Sequence, residues 1–372
     1  MTAASHPLAD AIRRGLLSRR EFVDRALAAG ATLGSVAALL AGCRPAPRTD
    51  ETAMPAELEK ELRIYNWSDY IGRETIAGFQ REFGVHVIYD TYESNEDLIA
   101  KLQAGATGYD LVVPSGNAVT VLRALELLVP IDRSFLTNWS NLMPQFVGSD
   151  FDPENQYTVP WLWGMTGLAV RTDKVPLPDS WGVYFEEQYR GKMTQLDDMR
   201  DVVGCWLKYR GHSLNSRDPV QLAQAKADAL RAKANVKSYV SAPVKGQLIT
   251  GDVWIAQLWN GDTAQAKAEQ PALEFVIPRE GSQVNLDSLV IPHGAPHRRA
   301  AHEFLNYILR PEVAAEISDV SGYGSPNAAA LERQRRPVPP PTSEEMALLE
   351  YQEDLAEATE LWDRIWTEIK AG

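Results

Sequence analysis

From residue 62 to residue 127 the chain alternates short apolar runs of strand type with amphipathic runs of helix type, and no other feature limits the fold as strongly. Residues 62–67 (LRIYNW) read as a strand. Residues 74–83 place Ile76, Phe79 and Phe83 on one helical face, and Gly84 follows as a stop. Residues 85–89 give a second strand, 95–104 a second helix closed by Gly105, and 109–114 a third strand leading into a helix over about 119–127. Strand and helix in succession at this spacing mean parallel strands joined by right-handed crossovers. Sheets of that kind hold ligands beyond the carboxyl ends of their strands, which here lie near Trp67, Glu93–Ser94 and Ser115.

The pattern does not close in one lobe. Residues 157–164 (YTVPWLWG) run on through Met165 to Val170, an extended, glycine-containing stretch suited to cross into a second lobe. That lobe would hold Trp181 to about Ile277, including a long helix over 220–234. Residues 285–292 (NLDSLVIP) look like a return strand, followed by a helix over 300–309. Pro337-Val338-Pro339-Pro340-Pro341 breaks the chain again, and Thr342 with Glu345 can form a capping box for a final amphipathic helix reaching Lys370. The expected organisation is a first lobe over 59–165, a second over 166–284, a return to the first over 285–336, and a segment 337–372 whose last helix packs at the second-lobe or hinge side. Repeated crossing predicts a hinged clamp.

Two export features stand ahead of this body. Arg19 and Arg20 precede a small-residue apolar segment, as in a twin-arginine signal read by the folded-protein route. Leu40-Ala41-Gly42-Cys43 resembles a bacterial lipoprotein box, in which the thiol is acylated and residues 1–42 are removed. Segment 26–42 is rich in Ala and Gly and shorter than the roughly 20 residues of a spanning helix, so a signal peptide is expected. Residues 43–58, Pro-rich and polar, read as a leash. The expectation is a periplasmic, extracytoplasmic protein tethered to a membrane by lipid on Cys43 and otherwise monomeric. Taking 1–42 from the 372 residues leaves 330, enough for a large two-lobed protein. The removed part carries five Arg against Asp10, Glu21 and Asp24, so the net charge moves from −13 to −15. That balance argues against nucleic acid and permits steering of a cationic ligand. With Cys43 acylated, Cys205 has no partner for a disulfide; beside Val202, Val203, Trp206 and Leu207 it reads as a packing residue.

Enzyme signatures are missing: there is no Gly-rich phosphate loop, no His-Glu-x-x-His and no Gly-x-Ser-x-Gly. His297 and His302, five apart, do not share a helix face. The run from Asp150 through Asp152 to Glu154 has Asn155 where a calcium loop needs glycine, so neither a metal nor a cofactor is expected. What remains is a set of aromatic and acidic residues where loops should meet. Trp67-Ser68-Asp69-Tyr70 ends the first strand, Asp197, Asp198 and Asp201 open a helix, Trp259 and Asp262 follow an apolar strand, and Asp287 sits in the return strand. Singly, Asp198 could be an N-cap, Trp259 core and Asp287 a turn residue. Together they suit an extended organic cation. Its ammonium ends need carboxylates, because a buried charge without a partner is costly, and its methylenes need flat apolar walls.

Residues 64–71 (IYNWSDYI), 92–96 (YESNE), 109–115 (YDLVVPS) and 259–262 (WNGD) resemble the motifs of spermidine/putrescine-binding proteins, the substrate-capturing components of polyamine ABC importers. Asp287-Ser288-Leu289, residues 304–311 (FLNYILRP) and 369–372 (IKAG) continue the likeness over nearly all the chain after the export segment. The resemblance implies an α/β, type II periplasmic binding protein: two lobes, each a mainly parallel sheet flanked by helices, closing about a hinge. It also implies a site. Trp67 and Tyr70 would be aromatic walls with Ser68 and Asp69 beside them, and Ser115 a pocket serine. Asp198 and Asp201 would receive one end of a polyamine, Trp259 would be the central wall, Asp287 would grip an inner or opposite amine, and Gln352 would add a terminal contact. Asn117 stands where spermidine binders place a tyrosine, and Asn285 where they place a tryptophan. Asp262 and the Ser68-Asp69-Tyr70-Ile71 form resemble the putrescine-preferring branch. The resemblance therefore implies a putrescine-like diamine in preference to spermidine, with agmatine or another polar cation also open, and an ABC permease as partner. A polyamine sensor for a membrane receptor would share fold and pocket. A hydrolase using Asp198 and Asp201 as acid and base is the other alternative. Against it, the two lie three apart on one expected helix, and no nucleophile, metal set or cofactor loop accompanies them.

Overall fold

The computed structural model describes residues 54–105 and 108–372; Arg19, Arg20 and Cys43, and with them the export and lipidation readings, lie outside the described residues. The first lobe opens with β1 (Glu61–Trp67), α1 (Arg73–Phe83), β2 (His86–Tyr92), α2 (Asn95–Gln103), β3 (Leu111–Val112) and α3 (Gly116–Ala124). β1 lies between β2 and β3, parallel to both. Local chemistry sets the boundaries. Gly84 ends α1 with left-handed backbone at φ 63°, which a side chain would disfavour. Ser94 caps α2 by accepting from the Asp97 N–H. Two boundaries differ from the sequence expectation. β3 shortens to two residues, Val112 also pairing with Val290 of the returning chain. α3 starts at Gly116, three residues before 119, and so takes Asn117 into its first turn.

After β4 (Leu128–Val129), the thirteen-residue β5 (Val159–Arg171) carries the chain out of this lobe. Its first half, Val159, Trp161 and Leu162, packs with Phe79, Leu111 and Phe304. Its second half, Leu168 and Val170, joins a separate core built on Trp181, Trp206 and Trp362. The second lobe continues with β6 (Met193–Gln195), α4 (Met199–Tyr209), α5 (Pro219–Lys233), β7 (Val236–Tyr239), α6 (Val244–Thr250), β8 (Ile255–Trp259), α7 (Asn260–Glu269) and β9 (Leu273–Val276). β10 (Ser282–Leu289) then returns beside β5 and antiparallel to it, with Asn285 opposite Gly164 and a bulge between Asp287 and Ser288. Crossing and return thus belong to two long neighbouring strands of paired backbone, β5 and β10, where the sequence pattern marked the extended stretches 157–170 and 285–292. Gly164 is required where they meet: a Cβ there would stand 2.7 Å from the Tyr323 ring.

The larger sheet has the order β12–β10–β5–β8–β6–β7, with β9 also on β5. It is mixed. β6 runs parallel to β7 and β8, which helices connect, whereas β5 is antiparallel to β8, β9 and β10. β11 (Ile291–Pro292), α8 (Arg298–Ile308), α9 (Pro311–Ser321) and α10 (Ala328–Leu331) follow. The Thr342–Glu345 capping box is present but opens only the single turn α11 (Ser343–Met346), not the last helix. Next comes β12 (Leu349–Tyr351), parallel to β10, because Leu349 is buried there and the chain extends to pair. The last helix, α12 (Thr359–Ala371), begins later and buries Trp362, Ile365, Trp366 and Ile369 in the second-lobe core. Cys205 is a free, buried residue of that core whose thiol burial raises well above its ordinary pKa.

Candidate functional site

The strand ends of both lobes meet at one cleft. In the first lobe its walls are Trp67 at the end of β1, Tyr92 to Asn95 at the end of β2, and Ser115 after β3. In the second they are Asp197, Asp198 and Asp201 after β6, Ser241 and Lys245 after β7, and Trp259 and Asp262 at the end of β8. Gly164, Gln283, Asn285 and Asp287 of the crossing strands line it between the lobes, with Tyr323 and Gln352. Measured out to its open mouth the cleft holds about 1140 Å³.

Every candidate binding residue except Asn117 lines this cleft. Asn117 is carried off the wall by the early start of α3, and its side-chain oxygen is enclosed without a hydrogen-bond partner among the described residues. Asp69 sits at the turn after β1 with φ 54°, a left-handed conformation that aspartate tolerates better than most residues. Ser68 donates to Glu93 at 3.1 Å.

Asp287 is the most informative group. It is 8% exposed, and the Tyr70 hydroxyl donates to its Oδ2 at 2.6 Å. Its Oδ1 has no hydrogen-bond donor among the described residues. Burial raises its carboxyl to about 6, with the Tyr70 hydroxyl and then the neighbouring Ser115 hydroxyl working the other way. Tyr70 itself is held edge-on by Tyr323 at 4.9 Å, and burial keeps its proton in place. Trp67 is fixed by its indole N–H on the Val113 carbonyl at 2.8 Å and by the Tyr92 ring at 4.6 Å.

The second-lobe acids behave differently from one another. Asp198 is an N-cap, accepting from the Asp201 N–H at 2.9 Å, so the structural reading of that residue holds alongside its place on the wall. Asp201 accepts from Thr166 at 2.6 Å and from Gln283. Gln283 in turn accepts from Gln352, which ties the C-terminal segment to the cleft. Burial, and then the charge of Asp198, push the Asp201 carboxyl well up; burial also raises Asp198. Arg200 relieves them only in part: its charge works against the rise of both carboxyls, while its guanidinium donates to the Glu353 carbonyl and to Asn215.

Lys245 and Tyr323 were not singled out in the sequence. Lys245 follows the end of β7, so the strand-end rule applied to the second lobe would have found it. Tyr323 follows α9 and carries no such signal.

The sequence profile of the bacterial extracellular solute-binding proteins matches residues 74–347. The spermidine/putrescine-binding periplasmic protein of Salmonella typhimurium is 34% identical over 323 residues, 84% of this chain and 92% of that protein. This chain belongs to the spermidine/putrescine-binding protein family. The putrescine/agmatine-binding protein of Pseudomonas aeruginosa is 35% identical over 341 residues, 84% of this polyamine-binding family member and 93% of that relative. Among solved structures the Tp0655 (TpPotD) lipoprotein of Treponema pallidum superposes with a TM-score of 0.78 at 31% identity, over 84% of this family member and all of that chain. The fold is therefore that of a type II periplasmic binding protein. The family consists of substrate-binding components of ABC transporters, not enzymes, which removes acid–base catalysis by Asp198 and Asp201.

Proposed function

We propose that this protein captures a polyamine in the cleft, a putrescine-like diamine in preference to spermidine, and delivers it to an ABC permease from a lipid tether at Cys43 outside the cytoplasm. The observation that carries the reading is Asp287, a buried carboxylate with one oxygen lacking a hydrogen-bond donor among the described residues, set under Tyr70 in an aromatic cleft. A buried acid in that state is relieved by a cation. One ammonium would seat on Asp287, the methylenes would lie against Trp67, Tyr70 and Trp259, and the other ammonium would meet the Asp198–Asp201 wall. Asn285, a polar residue on that wall, supports a short ligand over a long one. The relatives named for spermidine/putrescine and for putrescine/agmatine make polyamines the class to test, and the Treponema lipoprotein supports the tether.

Titration calorimetry of the chain lacking residues 1–43 against putrescine, cadaverine, spermidine, spermine and agmatine tests this. One-to-one binding with putrescine tightest is expected. Spermidine preference would remove the diamine reading, and no binding to any of the five would remove polyamine capture. Radiolabelled metabolic fatty-acid incorporation, lost in Cys43→Ser, tests the tether.

A further inference from the structure

Among the described residues lining the cleft, Lys245 is the sole cation against Asp69, Glu93, Asp197, Asp198, Asp201, Asp262 and Asp287. Its ammonium lies 2.9 Å from Asp69 Oδ2, 2.9 Å from Gln265 Oε1 and 3.6 Å from Asp262 Oδ1, two hydrogen bonds and an ion pair. Asp69 comes from the first lobe and Asp262 from the second. The two partners differ in weight. Asp69 is 70% exposed at its side chain, and an ion pair to so exposed a group contributes little as a tie between lobes. Asp262 is 15% exposed, and a carboxylate so far out of water needs a counter-charge. Lysine is also a four-carbon chain ending in an ammonium, chemically the aminobutyl end of the polyamines themselves.

We propose that Lys245 is a specificity-determining residue: a resident ammonium that fills the Asp69–Asp262 seat and so denies it to a third amine, limiting the cleft to diamines. The inference rests on polyamine capture as read above. A diamine needs only Asp287 and the Asp198–Asp201 wall, neither of which Lys245 touches in any hydrogen bond or ion pair. A triamine reaching the Asp69–Asp262 end would set its ammonium against that of Lys245, and like charges brought together in a partly dried site are strongly disfavoured. The discrimination therefore comes from repulsion as much as from fit.

The test is calorimetric titration of the full chain and of Lys245→Gln and Lys245→Arg with putrescine and spermidine. Lys245→Gln should tighten spermidine by at least about tenfold and move putrescine by less than about threefold; Lys245→Arg, which keeps a cation in the seat, should retain the wild-type ratio. Adding Asp262→Asn to Lys245→Gln should abolish the spermidine gain. An unchanged ratio in Lys245→Gln overturns the proposal while leaving polyamine capture standing. Equal weakening of both ligands also overturns it and makes Lys245 a tie between lobes. Failure of the wild type to bind either ligand would instead refute polyamine capture, and the role of Lys245 with it.

Discussion

Replacing Asp287 with asparagine should make the unliganded protein more stable and its ligand binding far weaker, a combination that a structural aspartate would not give. The carboxyl is raised from its ordinary 3.8 to about 6. For a group raised in the folded state, the stability it contributes is complete below the unfolded pKa and is lost as pH climbs through the folded one. Between about pH 4 and 6 the unliganded protein thus gives up on the order of 3 kcal/mol through this group. Asparagine does not ionise and escapes that cost, less about 1 kcal/mol or more for an amide N–H without an acceptor where Oδ1 now has no donor. A net gain of about 1–2 kcal/mol at pH 7.5 is expected, turning into a loss of about 1 kcal/mol below pH 4. Urea unfolding of both proteins at several pH values reads it directly. Binding goes the other way: loss of one partner of a buried charge pair costs about 2–5 kcal/mol, or roughly 30-fold to several-thousand-fold in Kd. A near-normal Kd, or an asparagine variant less stable at pH 7.5 by an amount independent of pH, would refute the role given to Asp287.

Three further outcomes follow from the same site. Putrescine stays doubly charged in acid while Asp287 takes up a proton, so affinity should fall as pH drops below about 6, approaching tenfold per pH unit, and calorimetry showing a flat Kd from pH 7.5 to 5 would count against it. Tyr70→Phe removes the 2.6 Å donor to Oδ2 and should weaken binding by about 1.5–3 kcal/mol while raising the Asp287 carboxyl further, seen as a shift of the affinity profile to higher pH. Trp259→Ala should weaken binding with the far-ultraviolet dichroism intact; a collapsed spectrum would make Trp259 a core residue first and a wall second.

The first lobe was legible because its elements are local. Amphipathic periodicity, Gly84 and Gly105 marked α1 and α2 to within a residue or so, since helix termini depend on neighbours in sequence. β3 and α3 were less legible because their limits depend on Val290, far along the chain, and on the turn at Ser115–Gly116. Asn117 left the wall for that reason. The capping box at Thr342 was read correctly as chemistry, yet the length of the helix behind it was set by pairing of β12 with β10, which no local pattern contains. At the site, Trp67 and Ser115 were legible as strand ends, Trp259 as the close of an apolar strand and Asp198 as the opening of a helix. The ion pairing of Lys245 was not, since Asp69 is 176 residues away in sequence.

What separates the cleft acids from the other buried acids is the company they keep. Asp228, 4% exposed, is paired with Arg210. Asp110, fully buried, accepts from the Arg63 and His297 backbones and from the His297 ring. Asp152, 1% exposed, accepts from the Gln156 and Tyr157 N–H groups and the Thr158 hydroxyl, which locks its turn. Each of these is satisfied by the protein, and its burial serves the fold. Among the described residues one oxygen of Asp287 has no donor, and the donors to the Asp201 carboxylate are the neutral groups of Thr166, Gln283 and Trp259. Both carry raised pKa values, as Asp110 also does, meaning that the fold bears a cost for keeping them charged. The cost falls at the wall where strands from both lobes converge and where a cation bound from solution would remove it. On the proposed reading a closed cleft holding a cation would be favoured over a closed empty one, the thermodynamic condition for a clamp that shuts on its ligand.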